Sequence, residues 1–142
     1  MKVLFSCFLF IFMSASGYAC WAPNCYGAVG FDPKTGQTSA GTDYSTAREA
    51  EQALKEDCPS CEYMTFNNSC GTIVYSRRYD FTGTYYGGSD RDLRSYALTQ
   101  CEEKINDINL NKTRNDKRRS KVRSLAETDC KITVLACTYR VY

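Results

Sequence analysis

Cys58-Pro59-Ser60-Cys61 has the spacing of a redox dithiol, and Glu56-Asp57 and Glu102-Glu103 are carboxylate pairs of the kind that run acid and base chemistry in glycosidases. Neither signal survives its context. The two cysteines fall at the C-terminal end of an expected helix, where the dipole disfavours a thiolate, so structural pairing is the better reading. Adjacent carboxylates on a helix point in different directions, so each pair reads as solvated charge. The chain also has no His. That removes the Ser-His-Asp triad, the Cys-His pair and His-ligated zinc together. The sequence therefore reads as non-enzymatic, with no catalytic residue, no cofactor and no metal. The less favoured alternative, a His-free hydrolase, requires two carboxylates converging in a pocket.

Met1-Lys2, the apolar run from Val3 to Met13 and the small-residue ending Gly17-Tyr18-Ala19 form a secretory signal peptide over 1–19, with cleavage expected before Cys20. The apolar run is too short for a membrane anchor, which needs about 20 residues, and a lipoprotein signal would want Leu where Gly17 stands. The expected location is secreted or periplasmic, with no transmembrane segment. Removing 1–19 also removes Cys7 and leaves eight cysteines: Cys20, Cys25, Cys58, Cys61, Cys70, Cys101, Cys130 and Cys137. In an oxidising compartment an even set reads as four disulfides, whose connectivity the sequence leaves open. A Cys-ligated metal is the rival, disfavoured because no second C-x-x-C is present.

The chain of 142 residues allows one domain, 20–142, and its Tyr, Gly and Ser/Thr content favours short strands and turns. Cys25 to Phe31 is a strand ending in the turn Asp32-Pro33-Lys34-Thr35-Gly36, and Gln37 to Asp43 is the return strand. Thr46 and Glu49 have the spacing of a capping box, and Ala47, Ala50, Leu54 and Cys58 give the helix that follows a small apolar face. Strands follow at Cys61 to Phe66 and Gly71 to Ser76. The order then recurs. Arg48 to Cys58 matches Arg91 to Cys101, Gly27 to Phe31 matches Gly71 to Tyr75, and Cys61 to Cys70 matches Cys130 to Cys137, each of the last two a strand bracketed by cysteines. The expected fold is α+β: an antiparallel sheet built from two duplicated strand-strand-helix-strand halves, about 25–70 and 70–142, with helices packed on the sheet and disulfide staples.

The second half carries an insertion, about 102–129. Within it, from Lys112 to Arg123, the seven basic residues Lys112, Arg114, Lys117, Arg118, Arg119, Lys121 and Arg123 stand against the single acid Asp116, while the mature chain outside that stretch is net acidic by about five charges. Such a segment is either a solvated arm or a contact surface for a protein or another anionic surface. Nucleic acid is disfavoured, because no aromatics are interleaved to stack on bases. Tyr75, Tyr79, Tyr85 and Tyr86 lie close to Gly87-Gly88; if exposed, Tyr85 and Tyr86 are a second recognition candidate. Asn67-Asn68-Ser69 and Asn111-Lys112-Thr113 match the N-glycosylation acceptor pattern, relevant only in a eukaryotic source.

Tyr26-Gly27-Ala28-Val29, the helix from Ala47 to Cys58, the strand from Cys61 and Cys70-Gly71-Thr72-Ile73-Val74-Tyr75 together resemble a family of small exported bacterial proteins, domain of unknown function 4189. Its pattern is a Tyr-Gly-Ala-Ile-Ala strand, an Ala-rich helix ending in Cys, then Cys-strand-Cys-Gly-Ala. The resemblance runs from Cys25 to Cys101, with a looser return from Cys130 to Cys137. It implies an exported, disulfide-bonded α+β domain and transfers no catalytic residues. The chain departs from the pattern in its basic insertion and in Cys20 and Cys25. The leading functional expectation is an exported binding protein that acts by contact, as an inhibitor, an immunity partner or a secreted effector; a carbohydrate or cell-wall binding module is the alternative.

Overall fold

A computed structural model of the chain describes residue 20 and residues 24–115 and 128–138. The expected signal peptide, 1–19, lies outside the described residues. The elements run β1 (Tyr26–Phe31), β2 (Thr38–Tyr44), α1 (Ala47–Asp57), β3 (Glu62–Asn67), β4 (Cys70–Ser76), β5 (Phe81–Gly87), α2 (Asp90–Asn115) and β6 (Lys131–Cys137). The fold is α+β, and the strand-strand-helix-strand order occurs twice.

Local chemistry accounts for the boundaries. The β1–β2 turn closes with Gly36 N–H donating to Asp32 O at 2.7 Å, and Gly36 takes φ +76°, a value that favours glycine. At the start of α1, Thr46 Oγ1 accepts from Glu49 N–H while Glu49 Oε2 accepts from Thr46 N–H, both at 3.2 Å, so the capping box is formed. Ser89 does the equivalent work for α2, its Oγ accepting from Asp92 N–H at 3.2 Å. Ala50 and Leu54 of α1 pack on Ala28 of β1. Leu93, Ala97, Cys101 and Ile105 are the buried stripe of α2, at steps of four, with Ala97, Cys101 and Ile105 packing on Val74 of β4.

The strands form two three-stranded antiparallel sheets, ordered β2-β1-β3 and β5-β4-β6, one from each half. The expectation of a joint sheet is corrected here. β1 and β4 each find both hydrogen-bonded neighbours within their own half, so no strand edge at the centre is left to join them. What each half lacks is cover for its second face. The helix buries one face, and the two sheets bury the other against each other, giving layers in the order α1, first sheet, second sheet, α2. The middle layer holds Val29, Phe31, Phe66 and Ile73, with Met64, Tyr75, Val134 and Ala136 around them. Val29 and Ile73 are equivalent positions in the two halves, as are Phe31 and Tyr75, whose rings meet at a centroid distance of 5.1 Å.

The repeat is broken where space demands it. Phe66 pairs with Gly27 in the first half, and at the equivalent place Ala136 pairs with Gly71. A Cβ on Gly71 would lie 2.3 Å from the Phe66 ring, and one on Gly27 2.5 Å from it. One ring therefore fills the room over both glycines, and a second aromatic at position 136 would have nowhere to go.

Candidate partner-binding surfaces

The disulfides fix what any binding surface is mounted on. Cys20–Cys25, Cys58–Cys61, Cys70–Cys137 and Cys101–Cys130 are bonded, which pairs all eight expected cysteines. Cys58–Cys61 and Cys101–Cys130 are the same bond in the two halves, each joining the helix to the start of the strand after it. The first closes a separation of three residues, the second a separation of 29. The cysteine brackets expected around β3 and β6 are only half alike: Cys61 matches Cys130, but Asn67 stands where Cys137 does. Cys70 opens β4 instead and faces Cys137 across the ladder. The Cys20 and Cys25 sulfurs and the Asp43 carboxylate cluster within 4.8 Å; sulfurs spent in a disulfide offer no thiolate to a metal.

At 1.5 Å per residue the 26 residues of α2 extend about 39 Å, whereas seven-residue strands span about 23 Å. Its last turns therefore overrun the sheet. Among the α2 residues whose burial is described, Ile105 is the last that is fully buried, and Ile108 and Leu110 are exposed. Lys112 and Arg114 lie in those last turns. Lys117, Arg118, Arg119, Lys121 and Arg123 lie outside the described residues.

The two tyrosine candidates are separated by strand alternation. Tyr85 turns toward α2, where its ring meets Tyr96 edge-on at 5.8 Å, and burial pushes its phenol pKa up. Tyr86, opposite Gly71, turns the other way and is 72% exposed. The carboxylate pairs Glu56-Asp57 and Glu102-Glu103 are exposed on helices that cover opposite sheets, so they share no site.

The polar pair that closes each half was not legible as such in the sequence. Asp32 accepts from Ser60 Oγ at 2.8 Å, from Thr35 Oγ1 at 2.9 Å and from Lys34 N–H at 2.9 Å. In the second half Asp129 accepts from Ser76 Oγ and, at 3.0 Å, from Arg78 N–H. These hydrogen bonds hold both carboxyls below the ordinary range, the Lys34 amide leading at Asp32 and the Ser76 hydroxyl at Asp129. Ser76 is equivalent to Asp32, and Asp129 to Ser60. A search for complementary exchanges between the halves would have found them.

Among the described residues no helix is long and apolar enough to cross a membrane. No curated protein and no solved structure matches the chain. The model of one family, a domain of unknown function (DUF4189), matches residues 26–139, a stretch running from the first residue of β1 to just past β6 and so containing both halves and the insertion. The chain belongs to the DUF4189 family.

Proposed function

We propose that this is an exported, non-enzymatic binding protein that acts by protein contact, as an inhibitor, immunity partner or secreted effector, and that the insertion carried by α2 is its contact element. One observation carries the reading. Equivalent disulfides close two residues in one half and, in the other, a long excursion that contains the strongly basic stretch from Lys112 to Arg123, so that stretch is an addition to a unit whose first copy closes without it. A basic segment on an otherwise acidic body suits an acidic partner face, which it would steer onto one end of the molecule. The sequence of residues 1–19 and the four disulfides support export.

The experiment replaces 112–127 by a Gly-Ser linker of the same length, which keeps Ile105 in the core and Asp129 on Ser76, and compares cross-linked pull-downs with the full mature chain and with the Lys117→Glu, Arg118→Glu, Arg119→Glu variant. Capture by the full chain, weakened by added salt and lost in both variants, is expected. Capture by all three rejects the segment as the contact, and turnover of any substrate rejects the non-enzymatic reading. The glycan alternative rested on Tyr85 and Tyr86 side by side. With Tyr85 packed against α2, Tyr86 is left as a single stacking ring.

A further inference from the structure

Two sheets of three strands have four edge strands: β2, β3, β5 and β6. An edge presents unpaired N–H and C=O groups, and proteins blunt such edges with charges, bulges and Pro. β2 carries Asp43 and its ladder with β1 shifts register between Tyr26 and Ala28. β3 carries Glu62. β6 carries Lys131, and its ladder with β4 shifts between Ile73 and Val74. β5 has none of these devices. Its sequence, Phe81-Thr82-Gly83-Thr84-Tyr85-Tyr86-Gly87, holds no charge and no Pro in a chain that is 24% charged, and it runs in unbroken register along β4.

The stacking of the sheets leaves the same strand uncovered. β6 lies over β1 and β2, and β4 over β1 and β3, while among the described residues the substantial neighbours of β5 are β4 and α2. Thr84 and Tyr86 are exposed as a result, and Tyr96 of α2, 53% exposed, extends the tyrosine surface on the other side.

We propose that β5 is a self-association edge, at which two copies of this chain pair antiparallel about Thr84 to make one six-stranded sheet. The chemistry that selects a second copy is self-complementarity. A two-fold axis sets each residue near its own copy, so a charge close to the axis would meet its like, and β5 has none. About Thr84 the pairing places Gly83 against the partner's Tyr85 and Thr82 against the partner's Tyr86. Every ring then meets a small residue of the other copy. A seven-residue strand pair with flanking tyrosines is a small interface, of the class that is reversible and concentration-dependent.

Sedimentation velocity of the oxidised mature chain tests this. The expected result is a mass that rises toward the dimer with concentration. Thr84→Lys and Thr84→Glu, at an exposed position, each give a monomer with unchanged circular dichroism, and an equimolar mixture of the two restores the dimer. Gln52→Lys, on the exposed face of α1, leaves association unchanged. A monomer at all concentrations up to about 1 mM, near the weak end of measurable affinity, overturns the proposal. So does a dimer that survives both Thr84 substitutions, or a mixture that stays monomeric.

Discussion

Ser60 Oγ donates to the Asp32 carboxylate at 2.8 Å, tying the C-x-x-C loop to the end of β1. The second half makes the same tie with the partners exchanged: Ser76, at the end of β4, donates to Asp129, which precedes Cys130. In both halves the carboxylate also serves the backbone N–H at the equivalent turn position, Lys34 or Arg78. A carboxylate in that place is what the architecture requires, and either chain segment can supply it.

The exchange makes a direct prediction. Asp32→Ser and Ser60→Asp should each lower the denaturation midpoint, the first by stranding the Lys34 and Thr35 donors and the second by setting two carboxylates together. The double variant should recover most of the loss, because it reproduces the arrangement of the second half. Urea unfolding of all four proteins measures the coupling; additive losses would refute the exchange.

Both carboxyls titrate below their ordinary range in the fold. The sign follows: the stabilisation is fully present above the unfolded carboxylate pKa, near 4, and is lost as pH falls toward the lowered folded values. Stability measured from pH 6 down to pH 2 should drop across that window. Asp32→Asn and Asp129→Asn should each flatten the drop, and a profile unchanged in both variants contradicts the linkage.

The Phe66 ring occupies the space over Gly27 and Gly71. Gly71→Ala should cost about 1–3 kcal/mol by overpacking, and Phe66→Ala about 3–5 kcal/mol by leaving a cavity between the sheets. In a Phe66→Leu background the Gly71→Ala cost should shrink. Equal costs in the two backgrounds would mean that the ring is not what excludes the methyl group.

The disulfides should rank by the loop they close. Cys70–Cys137 spans a separation of 67 residues and Cys58–Cys61 one of three. On chain entropy, replacing the first pair with Ala should cost about 4 kcal/mol and the second about 1.5 kcal/mol. Thermal unfolding of the two double variants gives the order, and a larger loss for the short loop would show that local geometry outweighs loop closure here.

Local spacing is enough to read most of the elements and the repeat, though it did not mark β5, Phe81–Gly87. Thr46 with Glu49, the turn from Asp32 to Gly36, and the four-residue steps of Leu93, Ala97, Cys101 and Ile105 act between near neighbours, so their spacing is enough to read them. The matching of Arg48–Cys58 with Arg91–Cys101 was legible for the same reason. Tertiary structure alone decided that the halves stack face to face, that Cys70 bonds Cys137, that Tyr85 turns in while Tyr86 turns out, and that Asp32 meets Ser60. These depend on which surfaces are left uncovered once each half has closed, and on the room one ring takes from its counterpart. Both are properties of two folded surfaces in contact, which no local run of residues encodes.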